Sequence, residues 1–325
     1  LRKNQGFRML GVGCDSGLLS RSLRASLDSV KHDRVIPPGA TAGTIAAPLR
    51  SPPESMRPDR PEVITAIGAG VKTELARGVA FESLVGSQVN ARHLTTGLVT
   101  FAPAAELPPH RHTFGESITL LRGAAIVEVE GRMYRLQPLD NVTVPRGLVH
   151  AAANRSVQAP AVFHIALASD QPSRELVDHL RPRRGMADDS NGIPGAEHVT
   201  RFRLADRYMA GSGASFIDYV NRELVPGIEM SGGYGLFAPG GRLPAHVHDF
   251  DESICIVQGQ ATCVVEGRRY GLGDLATALQ PRGRVHYFIN ESATPMAMIW
   301  IYAGPMPERL VVDEACATVE GDPWR

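Results

Sequence analysis

The sequence predicts an all-β protein made of two tandem antiparallel sandwiches or barrels, each trailed by a short helix. Three observations predict it. Gly97–Asn154 laid on Gly233–Asn290 without a gap is identical at 27 of 58 positions, far beyond a chance self-match, so the chain is an internal duplication. Within each copy, short runs rich in Val, Ile, Leu and Thr are separated by turn residues. Gly (33) and Pro (24) are over-represented among the 325 residues against a norm of roughly 12% for the pair, which suits many short strands and turns.

Taken in order, residues 1–60 carry no sustained strand or helix period. They hold Pro37-Pro38-Gly39, Pro52-Pro53 and an excess of Arg and Ser, the composition of loop or disorder. The chain begins with Leu1, and Met56 precedes the first orderly segment. The expectation is a disordered or spurious extension, an organelle-targeting peptide being the alternative, although Asp15, Asp28 and Asp33 spoil the acid-poor signature of the latter. The first domain follows over 61–170, with strands expected at Ser117–Leu121, Ala125–Glu130, Asn141–Val144 and Ala161–Ala166. A helix over Pro172–Leu180 and a Pro/Gly/Asp-rich linker fill 171–199. The second domain, 200–305, repeats the strands at Ser253–Val257, Ala261–Glu266, Tyr287–Ile289 and Ala297–Tyr302. Residues 306–325 form a C-terminal helix and tail, with Pro307–Ala317 as counterpart of the first helix.

Charge narrows the function. Lys+Arg (34) balance Asp+Glu (34), which argues against a nucleic-acid or membrane-surface binder working by bulk electrostatics. No apolar run approaches the ~18 residues of a membrane span. Cys14, Cys255, Cys263 and Cys316 form no CxxC pair, and four in such a length are no disulfide scaffold, so a reducing cytoplasm is the expected compartment. Cys255 and Cys263 lie in apolar strand-like runs without a basic neighbour and read as buried small hydrophobes.

The chemistry sits in repeated histidines. The first copy has His110, His112, Glu116 and, 34 residues after Glu116, His150; the second has His246, His248, Glu252 and His286. Two histidines at i and i+2 on a strand point to one face, so both imidazoles reach one ion. A glutamate four residues on and a histidine from a distant strand complete three nitrogens and one oxygen. That set suits Fe(II), Mn(II), Ni(II) or Zn(II), with positions left open for water or substrate. A lone strand histidine is usually an ordinary polar residue, but here eight ligand-type residues keep identical spacing in both copies while many neighbours differ. Phe114 and Phe250 sit beside the sets, where an aromatic ring limits solvent access.

On these residues the chain resembles the cupin superfamily. Gly240, His246, His248, Glu252 and Gly259 meet the first cupin motif, G-x5-HxH-x3-4-E-x6-G. The first copy has His110, His112, Glu116 and Gly123, with Ala104 in place of the opening Gly. Pro145, Gly147, His150, Asn154 and Pro281, Gly283, His286, Asn290 match the second motif, G-x5-PxGxxHxxxN, from its Pro onward. Its opening departs: Gly273-Asp274 lies two residues too far from Pro281, and the first copy has Gln137-Pro138, which alters a loop and not the ligands. The resemblance covers about 80–170 and 215–305. It implies a bicupin of quercetinase-like type, two double-stranded β-helix or jelly-roll barrels, and one divalent transition metal per domain, Fe(II) favoured.

What the resemblance implies for the reaction is an enzyme on a small, oxygen-rich organic molecule, with a non-haem Fe(II)-type dioxygenase ahead. Glu116 and Glu252 would then hold metal and also shuttle a proton. The alternative is a redox-neutral isomerase, lyase, decarboxylase or hydrolase using Mn, Zn or Ni as Lewis acid. Oxalate decarboxylase-like bicupins generally place four residues between the second His and the Glu, where this chain has three. A second alternative is a non-enzymatic small-molecule binder, against which the intact ligand sets count. No organic-cofactor residues are assigned. The expected partner is a small-molecule substrate, with no nucleic acid and no membrane. The two barrels are expected to pack about a pseudo-two-fold axis, which leaves room for a further homodimer. His164 and Trp300 fall at equivalent places on the last strand, Tyr134 and Tyr270 read as outer-face packing, and Arg146 and Arg282 flank the loop before the third histidine. His93, His179 and His198 lack partners at ligand spacing.

Overall fold

A computed structural model describes residues 2–3, 6–7, 48–178, 185–186, 195–319 and 323–324. Residues 1–46 form one unit, in which Arg2–Lys3 pairs with Gly6–Phe7, and residues 47–325 form the other. In the first copy the larger sheet runs His198–Thr200, Asn141–Val144, Glu116–Arg122, Ala161–Leu167, Thr95–Phe101, Val79–Val85, Val71–Ala76. The smaller runs Glu175–Leu176, Glu106–Arg111, His150–Asn154, Ala125–Val129, Arg132–Leu136, Gly185–Met186. Inward residues of both sheets, among them Phe101, Ile118, Leu120, Val127 and Phe163, form one buried cluster. The period-2 alternation of strands buried on one side dictates this sorting.

The second copy repeats the plan as one hydrogen-bonded network. Its long strand Ser231–Arg242 pairs with Met296–Tyr302 and reaches His286–Ile289 at Arg242. Phe216, Phe237, Ile254, Met298 and Trp300 fill its core. Between the copies, outward residues of the larger sheets meet: Leu94, Ala166, Val220, Met230, Ile299 and Ile301 form a further buried cluster. Thr96 and Ser253 hydrogen-bond across that contact at 2.6 Å.

The copies also exchange strands. Val63–Thr65, ahead of the first copy, pairs with Thr277–Gln280 of the second, and His198–Thr200, ahead of the second, pairs with Asn141–Val144 of the first. A glutamate locks each one. The Glu197 carboxylate, fully buried, accepts hydrogen bonds from Arg132 at 2.6 and 2.7 Å and from the Tyr134 hydroxyl at 2.5 Å. The Glu62 carboxylate accepts from Arg268 at 2.6 and 3.0 Å and from the Tyr270 hydroxyl at 2.8 Å. A planar guanidinium meeting a carboxylate in a fork is the strong form of this bond. Tyr134 and Tyr270 are therefore acceptor-bound anchors between copies, where outer-face packing was expected.

Three expectations change. Part of the 1–60 extension is built into the second barrel: Met56 is buried in its cluster, Leu49 bridges Val312, and Arg60 binds the buried Asp251 with two bonds of 2.9 Å. Gly283, at φ +84°, is where that arm crosses, since a Cβ there would strike the Met56 carbonyl. Residues 1, 4–5 and 8–47, Cys14 among them, lie outside the described residues. The helix expected over Pro172–Leu180 is instead extended chain through Asp178, with Glu175–Leu176 pairing with Arg111 and His110; residues 179–180 lie outside the described residues. The open edge of Glu106–Arg111 offers unpaired backbone groups, and the Val177 N–H donates to Pro109 O at 3.0 Å. After the second copy Leu310–Val311 pairs likewise with His246–Val247, and a one-turn helix, Ala315–Thr318, follows. Among the described residues a short helix follows only the second barrel. No described helix is long and apolar enough to cross a membrane. Cys255, Cys263 and Cys316 are buried and unpaired, and burial pushes the Cys255 thiol up to about 12.

His164 and Trp300 are not equivalent. Strand pairing matches Phe163, Ile165 and Leu167 to Met298, Trp300 and Tyr302, because each set faces the same residues of its neighbouring strand. The repeat offset falls from 136 to 135 before this strand, and a slip of one residue moves a side chain to the other face. Trp300 therefore points to its barrel's interior, and His164 lies on the opposite face.

Two tests follow from these contacts. Glu197→Ala leaves Arg132 without its partner, and breaking such a buried pair is expected to cost about 3–5 kcal/mol in urea unfolding. His164 is 1% exposed, and burial lowers its pKa to about 4. Between pH 6.5 and 4 the unfolded chain then binds more protons than the native one, so stability is lost as pH falls through that window and is unaffected above it. The His164→Leu variant is expected to lose up to about 3 kcal/mol of that acid-side slope in unfolding measured from pH 7 to pH 4.

Candidate metal centres

Each ligand set assembles at one end of its barrel, between the two sheets. His110 lies on Glu106–Arg111 and pairs in register with His150, as His246 pairs with His286; Glu116 and Glu252 open the facing strands. Turns fix the approach. Gly147 N–H donates to His112 O at 2.7 Å and Gly283 N–H to His248 O at 3.0 Å, tying the HxH loop to the third histidine's loop. The Glu130 and Glu266 carboxylates accept the Val149 and Val285 N–H groups, one residue before His150 and His286. Asn154 and Asn290, which close the second motif, bond to backbone around Phe101 and Phe237, Asn290 also accepting from the Ser292 hydroxyl, and brace the strand.

Within each set the candidate ligand atoms lie within 4.8 Å of one another. Five of the six imidazoles give Nδ1–H to a carbonyl two residues away: Pro108, Leu148, Pro244, Phe250 and Arg284, at 2.8–3.0 Å. The sixth, His112, bonds to Ser173 O at 2.5 Å. A carbonyl only accepts, so the proton sits on Nδ1 and the Nε2 lone pair faces inward, the arrangement a metal-binding histidine needs. His150 Nε2 is 2.7 Å from Glu116 Oε2, and both His248 and His286 Nε2 are 2.9 Å from Glu252 Oε2. His246 Nε2 is buried with no protein partner. Three convergent imidazoles, a carboxylate and an orphaned lone pair fit a divalent transition ion in each copy.

Burial pushes the His110 imidazole down to about 4, helped by the charge of His150, and drives His246 well below its ordinary value. Burial alone would raise Glu116 and Glu252, but contacts from His112 and His150, and from His248 and His286, overcome it and hold both carboxyls well below the usual range. Burial also pushes His112 down, yet its contact with Glu116 leaves it raised. Both carboxyls are thus ionised near neutral pH.

The cavities above the sets differ. The first measures about 470 Å³ and is walled by Phe81, Val99, Phe101, Leu107, Phe163 and Ile165. The second measures about 200 Å³ and has Tyr208, Phe216, Phe288, Trp300 and Tyr302 in its wall. Phe114 and Phe250 stack on His112 and His248 at 4.9 and 5.1 Å and cover those ligands. Arg146 and Arg282 line neither cavity: Arg146 faces Glu229 at 3.5 Å, and Arg282 binds Asp249 and Ser55 O. The arginines at the cavities are Arg174 and Arg309. They recur in Pro172-Ser-Arg-Glu-Leu-Val-Asp178 and Pro307-Glu-Arg-Leu-Val-Val-Asp313, at an offset of 135 that a gap-free overlay at 136 does not reach.

The cupin domain family matches residues 97–167 and again 233–302, one match over each ligand set. The chain is a bicupin. Two curated proteins are similar over short stretches. Germin-like protein 3-1 of Oryza sativa subsp. japonica is 32% identical over 94 residues, 27% of the bicupin and 42% of that protein. The tetracenomycin polyketide synthase protein TcmJ of Streptomyces glaucescens is 32% identical over 97 residues, 29% of the bicupin and 65% of that protein. The bicupin thus spans less than two thirds of either relative. In fold it is similar to the Lactobacillus farciminis oxalate decarboxylase in its formate complex, at TM-score 0.61 and 14% identity, covering 77% of this chain and 88% of that one. The Bacillus subtilis oxalate decarboxylase at pH 4.6 aligns at TM-score 0.60 and 15% identity, covering 80% and 81%.

Metal analysis tests the ligand sets. Protein purified without a His tag is expected to carry two divalent ions per chain, and His110→Ala with His112→Ala, or His246→Ala with His248→Ala, one. If neither double variant loses metal, the ligand assignment fails.

Proposed function

We propose that the bicupin is a metal-dependent, redox-neutral enzyme of the isomerase, lyase or decarboxylase class, and that it acts in the first cavity. The observation that carries this is the 470 Å³ chamber opening on His110, His112, Glu116 and His150, a volume within the ~300–1,000 Å³ range of small-molecule sites. Its substrate is an organic acid or enol with a bulky apolar body. The apolar wall binds that body and excludes water, which strengthens every charge interaction inside. Arg174 supplies the positive charge: one Nη donates to Leu75 O while Nη1 has no protein acceptor, so an anionic oxygen meets a pre-aimed donor. Bound at this set, a divalent ion such as Mn(II), Zn(II), Ni(II) or Fe(II) would supply Lewis-acid polarisation of a substrate oxygen. Glu116, the buried carboxylate at the chamber floor, is the group placed to take a proton from substrate.

Support for the redox-neutral class over the dioxygenase comes from the fold likeness to oxalate decarboxylases, whose Bacillus subtilis member carries Mn(II) centres. The likeness to a polyketide synthase protein supports a substrate larger than oxalate. Ala152 provides the room, since its counterpart in the second barrel is Phe288.

On Mn-loaded protein, 1-hydroxy-2-naphthoate is expected to bind the first cavity in calorimetry. Ala152→Phe should abolish that binding with metal content unchanged, and Arg174→Gln should weaken it about 10–100-fold, the loss of one charged hydrogen bond. Turnover of such substrates without oxygen consumption supports the reading. Stoichiometric oxygen uptake with iron bound returns the reaction to the dioxygenase class.

A further inference from the structure

The two chambers share an arginine but differ in the residues that set their size. Register pairs Ala152 with Phe288, Ile165 with Trp300, Leu167 with Tyr302, and Thr73 with Tyr208. In every pair the second barrel has the larger, aromatic residue. Its chamber is about 200 Å³, roughly seven waters at about 30 Å³ each, and falls below the usual size of a drug-like site. Yet the second chamber is not merely filled core. Arg309 lines it and makes no ion pair among the described residues. The indole Nε1–H of Trp300, a residue 4% exposed, is buried without an acceptor. Unpartnered polar groups are costly in a dry chamber and mark the place of a ligand with complementary oxygens.

Charge selects the ligand's sign. Three neutral imidazoles and one carboxylate around a divalent ion leave one positive charge, and Arg309 adds a second; an anion of small volume balances them. The geometry points to the second chamber as a binding site for a small carboxylate of two to four carbons, held by the Arg309 guanidinium and the Trp300 indole N–H. The bicupin then recognises carboxylates of two sizes, one per barrel, with the arginine constant and the wall residues setting the size. This site is independent of the reaction proposed for the first chamber.

The chain holds only two tryptophans, Trp300 and Trp324, so Trp324→Phe makes Trp300 the sole indole reporter. Acetate and malonate titrated into this metal-loaded variant, at constant ionic strength in chloride, are expected to change its fluorescence saturably. Adamantane-1-carboxylate, too large for the chamber, should leave it unchanged, and Phe288→Ala should make it responsive. Arg309→Gln, with its fold checked by circular dichroism, should weaken acetate binding at least 10-fold, and Arg309→Lys less. No saturable response to acetate, an equal response to chloride, or an Arg309→Gln titration matching its parent overturns the proposal. Ala152→Phe changes none of these readings, so failure here and failure of the first-chamber reaction are separable.

Discussion

The reciprocal exchange of strands, locked by Glu62 and Glu197, is the constraint on which the rest depends. Each barrel's outer strand comes from the segment ahead of the other copy, and each brings a buried carboxylate to an Arg-x-Tyr pair at the Glu-Gly turn. A carboxylate taken from water is costly unless its lone pairs are filled, and three donors fill them here. Desolvation drives Glu197 upward, but Arg132 and Tyr134 reverse this and keep it ionised. The same Glu-Gly turns, through Glu130 and Glu266, hold the N–H before the third histidine of each site. Interdomain locking and ligand placement therefore share one hairpin in each copy. A barrel cut from its neighbour would lose a strand and the buried carboxylate that binds its Arg-x-Tyr pair.

How the metal sets came to be legible follows from this geometry. Strand pairing of the first with the third histidine, and Nδ1 bonds to carbonyls two residues away, are local constraints, so they survive as fixed sequence spacing in both copies. The swapped arms were illegible because their partners lie about 65 and 206 residues away and no local period records such a contact. Met56 and Arg60 sit in Pro-rich chain that composition alone reads as disorder, yet burial of Met56 and the Arg60–Asp251 fork hold it. The Pro172–Leu180 segment shows a different failure. Its charges suit a helix, but an unpaired strand edge took it instead, since tertiary hydrogen bonding overrides weak propensity.

The repeat offset explains a further part. It is 136 through the ligand motifs and 135 on either side of them, as Glu62 with Glu197 and Arg174 with Arg309 show. One residue in a loop is cheap, but in a strand overlay it exchanges inside for outside. That is why His164 read as Trp300's partner, and why Arg174 and Arg309 went unnoticed although their Pro-x-Arg-x-x-Val-Asp segments recur.

Duplication also explains how one fold hosts two different chambers. The ligand histidines and the bracing asparagines are tied to backbone by hydrogen bonds that tolerate no substitution of type. The wall positions have only to fill space, and volume changes there are tolerated when neighbours repack. Divergence is therefore channelled into Ala152 against Phe288 and Ile165 against Trp300, which change the size of the chamber and leave its chemistry alone. An arginine above a His3Glu set is the constant, and the volume of the chamber is what differs between the barrels.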